Sequence, residues 1–126
     1  MKSRWLANWV MSRVAFNIAI GNSDDHFRNH GFLLTPRGWT LSPAYDLNPT
    51  LNEYQALLIN SSTNRADLQV LLDSSDEYMI GYEEANHIIH EVKDGVNRWK
   101  STAHCLSISK REMDMFAQVY QRVLAE

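Results

Sequence analysis

Residues 21–34, GNSDDHFRNHGFLL, concentrate side chains that can bind cations or move protons. Asp24 and Asn29 lie five positions apart, and an isolated acid, Asp46, follows a stretch that predicts a β-hairpin. Because a hairpin returns the chain close to its starting point, we expect Asp46 to approach the loop of Asp24 and Asn29. Two carboxylates and an amide oxygen suit Mg²⁺ bound with phosphate, not zinc or iron. A carboxylate that does not bind the metal could accept a proton from a hydroxyl.

The spacing of these residues matches the order of parts that protein kinases use for phosphoryl transfer. Their catalytic loop places an Asp, which accepts the proton of the substrate hydroxyl, five residues before a metal-binding Asn. After a two-stranded hairpin, another Asp holds the Mg²⁺ that bridges the phosphates. A buried helix precedes the loop in that fold, and residues 3–20 predict such a helix here.

The elements that must position these side chains can be predicted from periodicity and turn residues. Residues 3–20 are apolar around most of the helix, which predicts a buried helix with Trp5 and Trp9 in the core, ending at Gly21. The runs GFLLT and WTLS on either side of Pro36 predict the hairpin. SPAYDLNP, with two prolines, predicts a rigid irregular loop, and EYQALLIN predicts a further short strand.

The second half of the sequence is expected to be helical. A helix within residues 61–75 would be capped by Thr63 or Asn64. One apolar face follows in residues 82–103, and a last helix opens with a capping box formed by Ser109 and Glu112. Residues that repeat at helical spacing are expected to point inward: Ala85, Ile88, Ile89, Val92, Val96, Trp99, Met113, Phe116, Val119, Tyr120 and Leu124. The expected fold class is mainly α with a small β-hairpin (α+β).

Composition limits the classes of function. The 126 residues fit one domain, and a net charge of −3 argues against direct nucleic-acid binding. Residues 1–50 carry a net +2 and residues 51–126 a net −5, so the end with the candidate loop suits an anionic ligand. The single cysteine, Cys105, excludes an intrachain disulfide and favours a reducing compartment. Arg13 interrupts the apolar first helix, so we expect a cytoplasmic protein with no membrane association.

The two motif segments resemble a known family. IGNSDDHFRNHGFLL and GWTLSPAYDLNP resemble the C-terminal lobe of HipA-like serine/threonine kinases, the toxins of HipBA toxin–antitoxin modules. The resemblance extends over the whole chain, helical tail included, and rests on two patterns. The patterns D-x-H-x-[KR]-N and A-Y-D are met by Asp24, His26, Arg28 and Asn29, and by Ala44, Tyr45 and Asp46.

The resemblance implies roles for individual residues. Asp24 would be the catalytic base, and Asn29 and Asp46 would bind Mg²⁺. The residues that line the ATP phosphates and the metal site would be His26, Arg28, Asn29, Tyr45 and Asp46. Asp25 occupies a variable position of the pattern and would be a bystander. Simpler interpretations stay open: His26 could fix the loop through hydrogen bonds, and Arg28 could be a surface charge.

The resemblance also implies a partner lobe and partner molecules. A kinase needs a glycine-rich phosphate loop and a strand lysine, and the 126 residues contain no G-x-G-x-x-G. We therefore expect residues 1–126 to form the C-terminal kinase lobe alone, weak or inactive in isolation, for a protein substrate with Ser or Thr. The alternative is a non-catalytic remnant or interaction module that binds a HipB-like antitoxin or another protein. A metal-dependent phosphohydrolase using Asp24, Asp25 and His26 is a third hypothesis.

Overall fold

The computed structural model describes residues 2–24, 26–50 and 52–124. Five α-helices and one antiparallel hairpin make up its regular structure, with two short 3-10 turns. In chain order the elements are α1 (Lys2–Ile20), a 3-10 turn (Phe27–Asn29), β1 (Phe32–Thr35), β2 (Gly38–Leu41), α2 (Leu68–Asp73), a 3-10 turn (Ser75–Tyr78), α3 (Tyr82–Asn97), α4 (Trp99–Cys105) and α5 (Lys110–Leu124). The predicted fold class, mainly α with a small hairpin, is confirmed.

The core forms around the second half of α1, which packs mainly against α3 and also contacts α2 and α5. Two clusters of buried apolar side chains lie side by side along this helix. The larger contains Met11, Ala15, Ile18, Ile59, Leu68, Leu71, Leu72, Ile80, Ala85, Ile88 and Ile89, and the smaller contains Ala19, Ile20 and Val96. The loop after α1 therefore starts from a helix end that is fixed by packing on several sides.

The first half of α1 differs from the prediction. Trp5 and Trp9 were expected in the core, but their side chains are 48% and 41% exposed. Their rings pack on each other instead, with centroids 4.6 Å apart. The prediction is wrong because the first half of α1 meets the core with a different face, on which Ala7 packs against the larger cluster and Asn8 donates to Glu84 of α3.

The hairpin agrees with the sequence prediction. β1 pairs with β2 in the register Phe32–Leu41, Leu33–Thr40, Leu34–Trp39 and Thr35–Gly38. Pro36 and Arg37 form the loop, and Gly38 has φ of +110°, a value that side chains disfavour. Leu41 at the base is buried, whereas Phe32, Leu33, Leu34 and Trp39 are exposed. We call these four exposed side chains the hairpin patch.

The segment between the hairpin and α2 is irregular, so the predicted strand in EYQALLIN is wrong. Among the described residues it contributes one isolated bridge, between Tyr54 and Arg65. The amide of Gln55 donates to Asn64 and the amide of Ala66 donates to Glu53, and these two bonds form the bridge. The pairing does not extend into a strand because the next amide, that of Ala56, donates to Ser23.

Helix boundaries depart from prediction in two places. α2 is capped by Asp67, whose carboxylate accepts the amides of Gln69 and Val70, and not by Thr63 or Asn64. α3 and α4 are separate helices that meet at Arg98, although their residues read as one apolar face.

The last helix begins as predicted. The Ser109 hydroxyl accepts the Glu112 amide at 3.2 Å and lies 2.9 Å from the Glu112 carboxylate. Val119 is buried, but Phe116, expected to point inward, is 37% exposed. Across the described part of the chain, no helix combines the length and apolar character needed to cross a bilayer.

Candidate functional site

The candidate loop begins at a tightly specified helix end. Gly21 has φ of +72°, and the amides of Gly21 and Asn22 donate to the carbonyls of Ile18 and Asn17. These two bonds form the Schellman motif, which requires a residue in the left-handed region. A Cβ on Gly21 would lie 2.6 Å from both the Thr50 carbonyl oxygen and a Val119 methyl. Glycine is therefore the residue that fits this turn.

Thr50 ties the start of the loop to the end of residues 42–49, SPAYDLNP, which we call the AYD segment. Its amide and its hydroxyl both donate to the Gly21 carbonyl, at 2.7 Å and 2.9 Å. Its hydroxyl also lies 2.6 Å from the Ser23 hydroxyl. The carbonyl of Ser23 in turn accepts the amide of Ala56. The backbone immediately before Asp24 is thus held from two separate segments.

Asp24 and Asn29 are in direct contact through the Asp24 backbone. The Asn29 Nδ2 donates to the Asp24 carbonyl at 2.6 Å, and the Asn29 amide donates to the His26 carbonyl at 2.9 Å. Asn29 is buried, while the Asp24 carboxylate side chain is 70% exposed. The five-residue spacing therefore closes a small loop that points a carboxylate outward and holds an amide inward.

His26 and Arg28 lie between these two residues. The His26 Nε2 is 3.7 Å from Asp24 Oδ1, which is too long for a hydrogen bond. The His26 Nδ1 is buried with no hydrogen-bond partner among the described residues. The Arg28 side chain is exposed, and its guanidinium has no partner within the described part of the chain. The loop therefore contributes a cation at its surface.

The hairpin brings the AYD segment back to this loop, as the sequence predicts. The Ser42 amide donates to the Gly31 carbonyl at 2.7 Å, which closes the base of the hairpin. The Arg13 guanidinium of α1 donates to the Ser42 carbonyl at 2.6 Å. Three residues later, the Tyr45 hydroxyl donates to the Arg28 carbonyl at 2.5 Å. The AYD segment thus contacts the loop one residue before Asn29.

Asp46 has an unusual backbone conformation. Its φ is +57°, in the left-handed region that L residues other than Asn and Asp rarely adopt. Its Oδ1 accepts the Asn48 Nδ2 at 2.8 Å. Among the described residues no hydrogen bond joins the Asp46 carboxylate to the loop of Asp24, so Tyr45 provides the link.

Three other sequence hypotheses concern Asp25, the phosphohydrolase, and the pair of His87 and Glu91. Asp25, interpreted as a bystander, lies outside the described residues. Within residues 2–24, 26–50 and 52–124, no group of three or more His, Cys, Asp or Glu side chains is arranged to hold a metal ion. The phosphohydrolase hypothesis includes Asp25, which this finding does not cover, so it stays a prediction. His87 and Glu91, expected to be a solvated pair, are exposed and 3.3 Å apart.

Sequence reasoning missed several residues that hold the loop in place. Arg13 and Thr50 fix the two ends of the AYD segment. Asn22 donates to Asn17 in the core at 2.9 Å, and Gln55 is buried beside the segment that braces Ser23. A charge at position 13 of an otherwise apolar helix was a usable signal, because such a charge needs a partner. Thr50 gave no signal before the fold was known.

Comparison with known proteins identifies the family. Residues 6–100, which include all of the loop and the AYD segment, match the HipA-like C-terminal domain. The match ends at Lys100, so α5 and most of α4 lie outside it. No curated protein and no solved structure matches the chain. Since the matched residues make up more than half of the sequence, the chain belongs to the HipA-like C-terminal domain family.

Proposed function

We propose that residues 1–126 are the catalytic-loop-bearing lobe of an ATP- and Mg²⁺-dependent protein serine/threonine kinase of the HipA toxin type. The observation that carries this proposal is the hydrogen bond from the Tyr45 hydroxyl to the Arg28 carbonyl, at 2.5 Å. It joins the segment of Asp46 to the loop of Asp24 and Asn29, which phosphoryl transfer requires. A cytoplasmic location is part of the proposal, because the exposed Cys105 thiol is free.

Asp24 is the proposed catalytic base. Its carboxylate is exposed, so a Ser or Thr hydroxyl of a protein substrate can reach it. The hydroxyl oxygen attacks the γ-phosphorus of ATP, its proton passes to Asp24, and the bond to the β-phosphate oxygen breaks to release ADP. The hydrogen bond from Asn29 to the Asp24 carbonyl holds the backbone of the base in place.

Asn29 and Asp46 are the proposed Mg²⁺ ligands, and their donor atoms fit the ion. The Asn29 amide donates through Nδ2 to Asp24, which leaves Oδ1 without a hydrogen-bond partner among the described residues. Asp46 uses Oδ1 to accept from Asn48, and its second oxygen is similarly without a partner there. Carboxylate and amide oxygens are preferred Mg²⁺ ligands, and the ion would neutralise charge on the transferring phosphates.

The remaining family positions would contact the nucleotide. The exposed guanidinium of Arg28 can pair with phosphate oxygens. His26, whose Nε2 lies 3.7 Å from Asp24 Oδ1, would also line the phosphates. The hairpin patch offers an exposed apolar surface beside this loop, where a nucleotide-binding lobe would dock. Because the sequence contains no glycine-rich phosphate loop, we expect this chain alone to bind nucleotide weakly and to transfer phosphate poorly.

The test is a calorimetric titration of the chain with a non-hydrolysable ATP analogue and Mg²⁺. We expect weak saturable binding that Asp46→Asn abolishes. Asp114→Asn on α5 is the matched control, because Asp114 is also exposed and lies outside the family match. Equal affinities in Asp46→Asn and the wild type would contradict the site. Robust Asp24-dependent kinase activity of the 126-residue chain would contradict the expectation of weak activity alone.

A second candidate function is an interaction module that binds a HipB-like antitoxin or another protein. The exposed hairpin patch favours it, since Leu34 and Trp39 are 68% and 70% exposed. Trp39→Asp would abolish such binding, whereas Asp46→Asn would leave it intact. The opposite pattern, with loss only in Asp46→Asn, would favour the kinase site as the functional surface.

A further inference from the structure

A cavity beside the end of α1 shares no residue with the proposed kinase site. Its volume is about 420 Å³, and its walls come from α1, α3, α4, α5 and the turn that follows α4. None of the described residues that line it is charged, and Asp24, Asn29 and Asp46 are not among them. Ligand sites in proteins typically measure about 300–1,000 Å³ with mainly apolar walls, which this cavity matches.

Three aromatic rings form one wall of the cavity. The Trp99 and Tyr120 rings meet edge to face, with centroids 5.0 Å apart and an interplanar angle of 74°. The Phe116 ring lies nearly parallel to that of Tyr120, at 15° and 6.1 Å. Phe16 and Ile20 of α1 and Val96 of α3 also line the cavity. A wall of offset and perpendicular rings is complementary to a further flat ring.

Tyr120 also supplies a polar group. Burial raises the pKa of its phenol above the ordinary value of 10.0. Tyr120 is only half-buried, and its hydroxyl makes no hydrogen bond within the described residues. A ligand with a hydroxyl or carbonyl group could therefore bond to it.

We propose that this cavity binds an uncharged aromatic molecule whose single hydrogen-bonding group meets the Tyr120 hydroxyl. An uncharged ligand is favoured because the lining has no charge to offset desolvation of an ion. Lys100 lies outside the lining, with its Nζ 5.9 Å from the centre of the Trp99 ring. The site is independent of the kinase proposal, and either can fail without the other.

The probe for this site is 2-naphthol, which is uncharged at neutral pH and carries one hydroxyl on a flat ring. Calorimetry and amide chemical-shift mapping on the 126-residue chain are expected to give saturable binding with a Kd of about 1 mM or tighter. The shifted amides are expected to be those of the cavity residues in α3, α4 and α5. Naphthalene-2-sulfonate, of similar shape but anionic, is expected to bind at least about tenfold more weakly.

Four variants test whether 2-naphthol binds in this cavity. Tyr120→Phe removes only the hydroxyl and is expected to weaken 2-naphthol binding by about threefold to tenfold. Tyr82→Phe, at an exposed tyrosine outside the cavity, is the matched control and is expected to change nothing. Ala103→Leu fills the buried wall, and Leu106→Asp places a charge at the exposed rim, where folding is not at risk. Both are expected to reduce affinity at least about tenfold.

Four results would overturn the proposal. They are no saturable 2-naphthol binding up to its solubility limit, unchanged affinity in Leu106→Asp, sulfonate binding as tight as that of 2-naphthol, and a dimer in sedimentation that Leu106→Asp converts to monomer. The last would assign the cavity to contact between copies of the chain.

Discussion

Replacement of Tyr45 by phenylalanine tests whether the two motif segments are held together as described. The change removes one hydroxyl, whose hydrogen bond to the Arg28 carbonyl is 2.5 Å long, and leaves the ring in place. Tyr54 provides a matched control, because it is 52% exposed against 44% for Tyr45 and its hydroxyl has no partner among the described residues. Tyr54→Phe should therefore behave as the wild type.

The magnitude follows from the exposure of the bond. An intramolecular hydrogen bond contributes about 0.5–1.5 kcal/mol net, and the lower half applies here because water can replace the hydroxyl at the exposed carbonyl of Arg28. A loss of about 0.5–1 kcal/mol lowers the urea midpoint by about 0.3–0.5 M, if unfolding has a slope near 2 kcal/mol/M. The same loss raises the local opening of the loop by about twofold to fivefold.

Amide hydrogen exchange measures this opening directly. The Asn29 amide is bonded to the His26 carbonyl at 2.9 Å, so its exchange reports whether the loop stays closed. We expect exchange at Asn29 to speed up about twofold to fivefold in Tyr45→Phe and to stay unchanged in Tyr54→Phe. If the two variants exchange at the same rate at Asn29, the Tyr45 hydroxyl does not hold the segments together.

Two further predictions concern the turn at Gly21 and the half-buried phenol of Tyr120. Gly21→Ala should lower the free energy of unfolding by at least about 1–2 kcal/mol, because alanine disfavours φ of +72° and its Cβ would be crowded at 2.6 Å. Gly81→Ala, where an added Cβ meets no atom within 4 Å, should stay within about 0.5 kcal/mol, and equal costs in urea unfolding would refute the reasoning. Tyr120 should make stability fall at alkaline pH: burial raises its pKa above 10.0, so its neutral form is favoured in the folded state, and that stability is present below pH 10 and lost as pH rises further. Above pH 10 the melting temperature of the wild type should therefore fall more steeply with pH than that of Tyr120→Phe. Equal slopes for the two proteins would refute this prediction.

Local signals were enough to predict much of the site scaffold. The end of α1 at Gly21 and the hairpin around Pro36 depend on neighbouring residues in the sequence, and both are as predicted. The capping box at Ser109 is similarly local. These features share a property: the residues that determine them lie within a few positions of one another.

The features that could not be predicted from the sequence depend on tertiary contacts. Trp5 and Trp9 are residue types typical of protein cores, but their burial depends on which face of α1 the other helices cover, and that face carries Ala7 instead. The EYQALLIN segment forms one isolated bridge and no strand among the described residues, because the amide of Ala56 donates to the loop at Ser23. Likewise, Thr63 and Asn64 were the predicted caps of α2, and the packing of Leu68 against the core favours Asp67.

The candidate site also combines features that the sequence predicts with features that it does not. The types and spacing of Asp24, Asn29 and Asp46 came from the sequence and match the family pattern. The way they are held did not, because Arg13 and Thr50 act from segments 11 and 26 positions away from Asp24. The distance in sequence is what made these positioning residues invisible before the fold was known.

Paramagnetic NMR with Mn²⁺ in place of Mg²⁺ tests the proposed metal site most directly. In the presence of a non-hydrolysable ATP analogue, we predict that amide signals of Asn29 and Asp46 broaden first and that Asp46→Asn removes the broadening. Broadening centred on the exposed acids of α3, Glu83 and Glu91, or broadening at Asn29 that survives in Asp46→Asn, would contradict the proposed site.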